Sequence, residues 1–266
     1  MLSSENIWLA LGLTVFAGLS TGIGALLAFF TRRTDTRILS GALGLSAGVM
    51  VYVSFMELMP HAMESLEGVY TDRMAQIVTL IAFFGGLGLI ALIDKLVPED
   101  ENPHEMHTMG ELSSPGNHHL KRTGMMLALA IGIHNFPEGM ATFVSALEGL
   151  DLALPIVIAI AIHNIPEGIA VSVPIYHSTG KRGKAFLYSL ISGLAEPIGA
   201  LAGIAFLLPW WSPTVNAVCL AAVSGIMVYI SFDELLPGAE RYGHHHIALG
   251  GVVAGMAVMA ATLLFV

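Results

Sequence analysis

The chain has 266 residues, of which 55% are hydrophobic and only 12% are charged, about half of the roughly 25% that is usual for soluble domains. The formal net charge of −9 argues against a nucleic-acid-binding protein, because such proteins carry basic patches. The single cysteine, Cys219, excludes an intrachain disulfide and a thiolate metal cluster. The residues left as metal ligands are His, Asp, Glu, Asn and Met.

Long apolar runs recur along the chain, and each has the length of about 20 residues that a membrane helix requires. They lack the alternation of apolar and polar residues that a transmembrane β-strand shows. We therefore predict an all-α polytopic membrane protein with a single transmembrane domain over 1–266. Because Glu5, and no basic segment, precedes the first run, we expect it to be retained as a helix. Eight spans are predicted, at about 7–30, 37–60, 75–97, 123–147, 153–175, 185–208, 214–237 and 246–266.

The longest connection, 98–122, is rich in Pro, Glu, Asp, Ser and His. Such a segment buries little apolar surface, so we expect a mobile loop. With eight spans, every Lys and Arg except Arg73 falls on the side of the membrane that carries this loop. Positive residues favour the cytoplasmic side. The prediction is a cytoplasmic loop, with both termini on the extracytoplasmic side of the membrane.

The hexapeptide His-Asn-x-Pro-Glu-Gly occurs twice, beginning at His134 and at His163, in the middle of two neighbouring spans. Ionisable residues at membrane depth are costly and mark functional sites by default. Within a helix, His134 shares a face with Glu138, and His163 shares a face with Glu167. Each copy therefore offers an imidazole and a carboxylate to a cation.

Each copy of the hexapeptide also contains a proline, Pro137 or Pro166. Proline removes an amide donor and crowds the carbonyl four residues earlier, which is that of Ile133 or Ile162. We therefore expect kinked helices with a backbone oxygen freed toward the site. Broken helices at membrane depth are tolerated only where they face protein or a wet cavity.

A third carboxylate, Glu196, lies near the centre of the sixth span. Three carboxylates and two imidazoles near the midplane suit Zn²⁺ and other late first-row metals, and without a cation the carboxylates would take up protons. Glu196 is alternatively a structural acid paired with a hydroxyl. Asn135 and Asn164 are either ligands or hydrogen-bonding residues between helices, and Met50 either packs or lends a thioether.

A second repeat joins residues 47–60 to residues 224–237, which are identical at nine of fourteen positions, including a shared Ser-Phe-x-Glu-Leu. The first copy ends the second span and the second copy ends the seventh span, so the two run in opposite directions. Opposed copies are typical of the inverted-topology repeats of secondary transporters. We predict a 3+2+3 architecture, in which spans 1–3 mirror spans 6–8 and spans 4 and 5 form the central pair.

Further polar residues fall where a metal path would open. Glu57 and His61, at the outer end of the second span, are candidates for an entrance. Asp233 and Glu234, at the inner end of the seventh span, are candidates for an exit. Glu57 and Glu234 are alternatively solvated caps. Loop histidines either capture metal or are plain solvated residues. They are His104, His107, His118, His119, His244, His245 and His246.

The doubled hexapeptide, Glu196, the eight spans and the histidine-bearing loop together resemble the ZIP (Zrt/Irt-like protein) family of divalent-metal transporters, in particular its bacterial ZupT/GufA-like branch. The resemblance covers essentially the whole chain. It implies import of Zn²⁺, with Fe²⁺, Mn²⁺, Co²⁺ or Cd²⁺ as further substrates, no organic cofactor, and a homodimer in the lipid bilayer. It also implies an elevator-like movement of spans 1, 4, 5 and 6 against spans 2, 3, 7 and 8.

The resemblance further implies a midplane site for two metal ions. One centre would consist of His134, Glu138, His163 and Glu167. The other would consist of Asn135, Asn164 and Glu196, with Glu138 and Glu167 bridging the two. Some family members carry Gln and Asp where this chain has His163 and Asn164, so the preferred metal stays open.

Two alternatives belong to other functional classes. An intramembrane zinc-dependent hydrolase would use a His and Glu to bind zinc and activate water, but the chain has no His-Glu-x-x-His arrangement. A metal-gated channel would show uptake that does not saturate at low metal and that responds to voltage. We expect a transporter and not an enzyme.

Overall fold

The structure is a computed structural model that describes residues 4–28, 36–96, 117–210 and 212–265. Within these ranges some side chains, among them those of His118, His119 and His134, lie outside the description. Every regular element in the described part is helical, which confirms the all-α prediction. The α-helices are α1 (Ser4–Ala28), α2 (Thr36–Val53), α3 (Met59–Glu67), α4 (Asp72–Leu96), α5 (Asn117–Glu148), α6 (Leu150–Thr179), α7 (Arg182–Gly193), α8 (Ala195–Ala202), α9 (Pro213–Ile230), α10 (Leu236–Glu240) and α11 (His245–Phe265).

Seven helical segments of the described chain are long and apolar enough to cross a membrane, and each coincides with one of the predicted spans. The remaining predicted span is the fourth in chain order, 123–147. It corresponds to α5, which is not among the seven. Helix α5 begins at Asn117, so residues 117–122 are helical and the prediction of a loop there is wrong. The rest of the predicted loop, including His104 and His107, lies outside the described residues.

Two π-helical turns occur at the repeated Ser-Phe-x-Glu-Leu, at Ser54–Leu58 and Ser231–Leu235. The first joins α2 to α3 in a continuous helix, and the second joins α9 to α10. In each copy a proline follows two residues after the turn, at Pro60 and Pro237. A proline ring clashes with the preceding turn of a regular α-helix, and a wider turn gives it room. Single π turns are frequent at functional sites.

The sixth span is interrupted at Leu194, between α7 and α8. Pro197 crowds the carbonyl of Gly193 and leaves it without an intrahelical donor, and the neighbouring Ser192 and Gly193 form a pair of the kind at which helices bend. By contrast, α5 and α6 continue through Pro137 and Pro166. The expectation of a kink at those two prolines stays a prediction, whereas a break in the helix assignment occurs in the span that carries Glu196.

Helix packing divides the structure into two groups. Helices α1, α5, α6, α7 and α8 pack on one another, and we call them bundle A. Helices α2, α3, α4, α9, α10 and α11 pack on one another as bundle B. The bundles meet mainly where α2 lies against α6 and where α9 lies against α5. The two copies of the hexapeptide are therefore on the bundle A helices that face bundle B.

Close packing within bundle A depends on glycines of the hexapeptide. A Cβ added at Gly139 of α5 would collide with the backbone carbonyl of Glu196 in α8. A Cβ added at Gly168 of α6 would collide with the backbone carbonyl of Thr21 in α1. Small residues let membrane helices approach closely, so Gly139 allows α5 to lie against α8 and Gly168 allows α6 to lie against α1.

Bundle B contains the same kind of contact. Gly48 of α2 lies against the backbone of Val252 in α11, and Gly225 of α9 lies against the backbone of Phe83 in α4. Gly48 and Gly225 occupy equivalent positions of the second repeat. Each of these approaches joins two helices of the same bundle.

Candidate metal centre

Three buried carboxylates lie at the core of bundle A. The exposed fractions of Glu138 on α5, Glu167 on α6 and Glu196 on α8 are 1%, 0% and 0%. Removing an ionised carboxylate from water costs several kcal/mol unless a partner compensates its charge. A site with three carboxylates is suited to a cation. A divalent cation compensates more of their negative charge than a monovalent cation of similar size.

The two copies of the hexapeptide meet through a histidine and a carboxylate. His163 Nε2 on α6 lies 3.2 Å from Glu138 Oε1 on α5, and both side chains are buried. The sequence predicted that a His and a Glu four residues apart on one helix would act together. The structure adds a contact between the His of one copy and the Glu of the other, so a cation bound by both would be held between helices. The side chain of His134 lies outside the described residues.

The two asparagines of the motif use their amide nitrogens in the same way. Asn135 donates to the carbonyl of Ser192 at 3.2 Å, and Asn164 donates to the carbonyl of Ala17 at 3.0 Å. Asn164 also donates to Glu196 Oε1 in a short hydrogen bond. Both Oδ1 atoms are buried, and neither accepts a hydrogen bond from the described residues. With the nitrogens engaged, the oxygens remain as potential metal ligands.

Ser46 is a site residue that the sequence analysis did not identify. Its hydroxyl, on α2, donates a hydrogen bond to Glu167 Oε1 on α6 at 3.0 Å. Met50 is fully buried and lies one turn later on the same face of α2. This face of bundle B therefore presents a hydroxyl and a thioether toward the motif. An isolated serine in an apolar helix gives no sequence signal that would have singled out Ser46.

The candidate entrance and exit residues lie on or next to the π turns. Glu57 belongs to the first turn and is half-buried, and His61 of α3 interacts with it electrostatically. Asp233 and Glu234 belong to the second turn, with Asp233 half-buried and Glu234 buried. The π turns thus place carboxylates within helices that continue beyond them.

The three histidines at the start of α11, of which His244 directly precedes the helix, have protein partners. Thr36 Oγ1 lies 3.0 Å from His244 Nε2, and His245 Nδ1 lies 2.8 Å from Glu240 Oε1. His246 packs its ring edge-on against His245. These contacts organise the turn between α10 and α11, and they leave the metal-capture interpretation as a prediction.

Among the described side chains, no three from His, Cys, Asp and Glu converge into a preassembled metal site. The carboxylates of Glu167 and Glu196 are hydrogen-bonded to Ser46 and Asn164. A cation would therefore either displace these hydrogen bonds or bind the other oxygen of each carboxylate.

Comparison with known families decides the class of protein. The model of the family described as "ZIP Zinc transporter" matches residues 4–119 and 95–263. The chain belongs to the ZIP zinc transporter family. The two matched stretches together cover nearly all of the chain, including both copies of the hexapeptide and Glu196.

Individual members of the ZIP family are similar over their full length. The chain is 57% identical to "Zinc transporter ZupT" of Nitratidesulfovibrio vulgaris over 274 residues, which cover 99% of each chain. It is 55% identical to the protein of that name from Streptococcus mutans, over 98% of each chain, and 50% identical to that of Campylobacter jejuni, over 97% of each chain. These relatives confirm the expected resemblance.

Proposed function

We propose that this protein imports divalent metal cations into the cytoplasm, with Zn²⁺ as its first substrate and Fe²⁺, Mn²⁺, Co²⁺ and Cd²⁺ as further ones. The observation that carries the proposal is the burial of Glu138, Glu167 and Glu196 beside the two unengaged amide oxygens of the motif. Burial of this much negative charge is favourable only when a cation compensates it. The full-length relatives named zinc transporters make zinc the first candidate.

The proposed site holds two metal ions near the membrane midplane. His134, Glu138, His163 and Glu167 form one centre, and the 3.2 Å approach of His163 to Glu138 supports it. Asn135, Asn164 and Glu196 form the other, with Glu138 and Glu167 bridging, and the contact of Asn164 with Glu196 supports this grouping. Met50 contributes a thioether from bundle B.

The metal path has one mouth at each π turn. Metal enters past Glu57 and His61 and leaves past Asp233 and Glu234. The electrostatic interaction of His61 with Glu57 and the burial of Glu234 support a role beyond that of a solvated cap. The histidines of 98–122 and His244, His245 and His246 are proposed to gather metal on the cytoplasmic side.

An inverted repeat of three spans, on either side of a central pair, underlies the proposed architecture of eight spans. Equivalent residues of the repeats make equivalent contacts. Asn135 donates a hydrogen bond to the carbonyl of Ser192, which precedes Gly193. Asn164 donates a hydrogen bond to the carbonyl of Ala17, which precedes Gly18. A Cβ at Gly18 would meet the carbonyl of Gly193, and a Cβ at Gly193 that of Gly18. This reciprocity is what a pseudo-two-fold axis between the first and sixth spans produces.

The packing of bundle B supports the same symmetry. The second span packs on the eighth, and the seventh packs on the third. In the proposed repeat the second span matches the seventh and the third matches the eighth, so the two packed pairs are equivalent. Gly48 and Gly225 mediate these pairings at equivalent positions. Alternating access then follows when the two halves exchange their conformations, with bundle A moving against bundle B.

The proposed setting is a cell inner membrane, with both termini on the extracytoplasmic side and the connection 98–122 on the cytoplasmic side. The distribution of Lys and Arg supports this orientation. A homodimer is proposed from the family resemblance alone. The alternative of an intramembrane zinc-dependent hydrolase receives no support from relatives that are all named transporters.

Reconstitution tests the proposed function. Purified protein in lipid vesicles should accumulate radioactive zinc with saturable kinetics, and excess unlabelled Fe²⁺, Mn²⁺, Co²⁺ or Cd²⁺ should compete to the degree that each is a substrate. Imposed pH gradients and voltages would identify the driving force and would separate a carrier from a channel. Vesicles with the protein that retain no more zinc than protein-free vesicles would contradict the proposal.

A further inference from the structure

We propose that Ser46 is a positioning residue that latches bundle B to bundle A through Glu167, and that a cation releases this latch when it binds Glu167. The inference rests on the proposed function, because it assigns Glu167 to the metal site. Its basis is the 3.0 Å hydrogen bond from Ser46 Oγ to Glu167 Oε1, made by two side chains that are each fully buried.

The position of this bond in the fold gives it a mechanical role. Ser46 belongs to α2 of bundle B, and Glu167 belongs to α6 of bundle A. The close glycine contacts of Gly139, Gly168, Gly48 and Gly225 each lie within one bundle. A hydrogen bond between two buried side chains is stronger in the low-dielectric interior than in water. The bond between Ser46 and Glu167 therefore resists separation of α2 from α6.

Of the two equivalent helix pairs, only α2 and α6 carry the residues for this hydrogen bond, and α9 and α5 do not. In the second repeat Ala47 corresponds to Ser224, so Ser46 corresponds to Val223. In the hexapeptide Glu167 corresponds to Glu138. Valine has no hydroxyl, so the equivalent bond between α9 and α5 cannot form. A hydroxyl needed simply to orient a ligating carboxylate would be expected at both positions, whereas a latch that favours one of two opposed conformations is needed at one.

The chemistry of the carboxylate couples cation binding to release. A divalent cation draws electron density from the carboxylate and reorients it, which weakens Oε1 as an acceptor for the Ser46 hydroxyl. Ligation replaces the lost hydrogen bond, so α6 separates from α2 at little cost. Without a cation the bond re-forms and holds the bundles together. Ser46 thus discourages movement of an empty site.

The test compares Ser46→Ala with two matched variants in the full-length protein in detergent. Removing the hydroxyl removes the competitor for Glu167, so we expect the Zn²⁺ dissociation constant to fall by about tenfold, the factor that corresponds to a hydrogen bond of roughly 1.4 kcal/mol. Ser46→Thr keeps the donor and should bind zinc like the wild type. Ser40→Ala is the control, because Ser40 is a buried serine of α2 that bonds His244 within bundle B.

Each outcome of the binding experiment decides the proposal. Weaker zinc binding by Ser46→Ala would mean that Ser46 orients a ligand, and unchanged binding would mean a purely structural role; both overturn the latch. If Ser46→Ala does not fold, amide hydrogen exchange of the wild type provides the test. Zn²⁺ should accelerate exchange in the α2 peptide that contains Ser46. Unchanged or slower exchange would overturn the latch. A wild type that transports no zinc overturns the proposed function itself, which is a separate result.

Discussion

His163 Nε2 on α6 lies 3.2 Å from Glu138 Oε1 on α5, so the imidazole of one hexapeptide faces the carboxylate of the other. A cation held here would join α5 to α6, and the hydrogen bond from Asn164 to Glu196 would extend the same site to α8.

Zinc is expected to stabilise the folded protein through these residues. A ligand at 100 times its dissociation constant stabilises the native state by about 2.7 kcal/mol, so the melting temperature in detergent should rise by several degrees when zinc replaces a chelator. Glu138→Gln removes the carboxylate beside His163 and should abolish most of this rise. Glu64→Gln is the control, since Glu64 is an exposed carboxylate of α3. An equal rise in both variants would place the binding site elsewhere.

The amide of Asn164 is expected to make the buried Glu196 tolerable in the absence of metal. Asn164→Asp replaces a hydrogen-bond donor by a second carboxylate, and two neighbouring carboxylates repel unless a proton or a cation intervenes. We expect a lower melting temperature in chelator and a larger recovery on adding zinc than the wild type shows. Asn164→Leu loses the same hydrogen bond without adding charge, and zinc should not restore it. Parallel behaviour of the two variants would exclude the electrostatic explanation.

The close approach of α5 to α8 should not tolerate a side chain at Gly139. A Cβ there would collide with the backbone of Glu196, and overpacking typically costs 1–3 kcal/mol. Gly139→Ala should therefore lower the melting temperature and reduce zinc uptake, because it displaces Glu196 from the other carboxylates. Gly12→Ala is the matched control, since a Cβ at Gly12 meets nothing within 4 Å. Wild-type behaviour of Gly139→Ala would show that the two helices separate freely.

The proposed orientation in the membrane can be checked by cysteine labelling. In a Cys219→Ser background, Tyr70→Cys and Lys181→Cys each introduce one exposed thiol into a connection between helices. We expect a membrane-impermeant reagent to label Tyr70→Cys in intact cells and Lys181→Cys only after the membrane is opened. The reverse pattern would place the termini in the cytoplasm.

Much of the fold could be predicted because its signals lie along the chain. Apolar runs of membrane length located the spans, and the doubled hexapeptide and Glu196 pointed to three residues that are buried in one bundle. The family resemblance places Glu138 and His163 in one centre, but helical spacing alone does not predict their contact, because that depends on how α5 and α6 are rotated about their axes. Helical spacing reports which residues share a face but not which face meets a neighbour.

Some backbone irregularities could not be predicted from the sequence. Pro137 and Pro166 predicted kinks, but the interruption at Leu194, where Pro197 follows the Ser192–Gly193 pair, was not foreseen. The π turns at Ser54–Leu58 and Ser231–Leu235 were not foreseen, although the repeat that contains them was. Ser46 was missed because an isolated hydroxyl gains its meaning only from a partner on another helix.

The most direct test of the central claim is radioactive zinc uptake by lipid vesicles that contain either the wild type or Glu138→Ala. The wild type should accumulate zinc saturably, and the variant, reconstituted to the same level and folded as judged by its helical circular dichroism, should accumulate no more than empty vesicles. Wild-type uptake by the folded Glu138→Ala variant would contradict the account, because the buried carboxylate next to His163 would then have no part in carrying the metal.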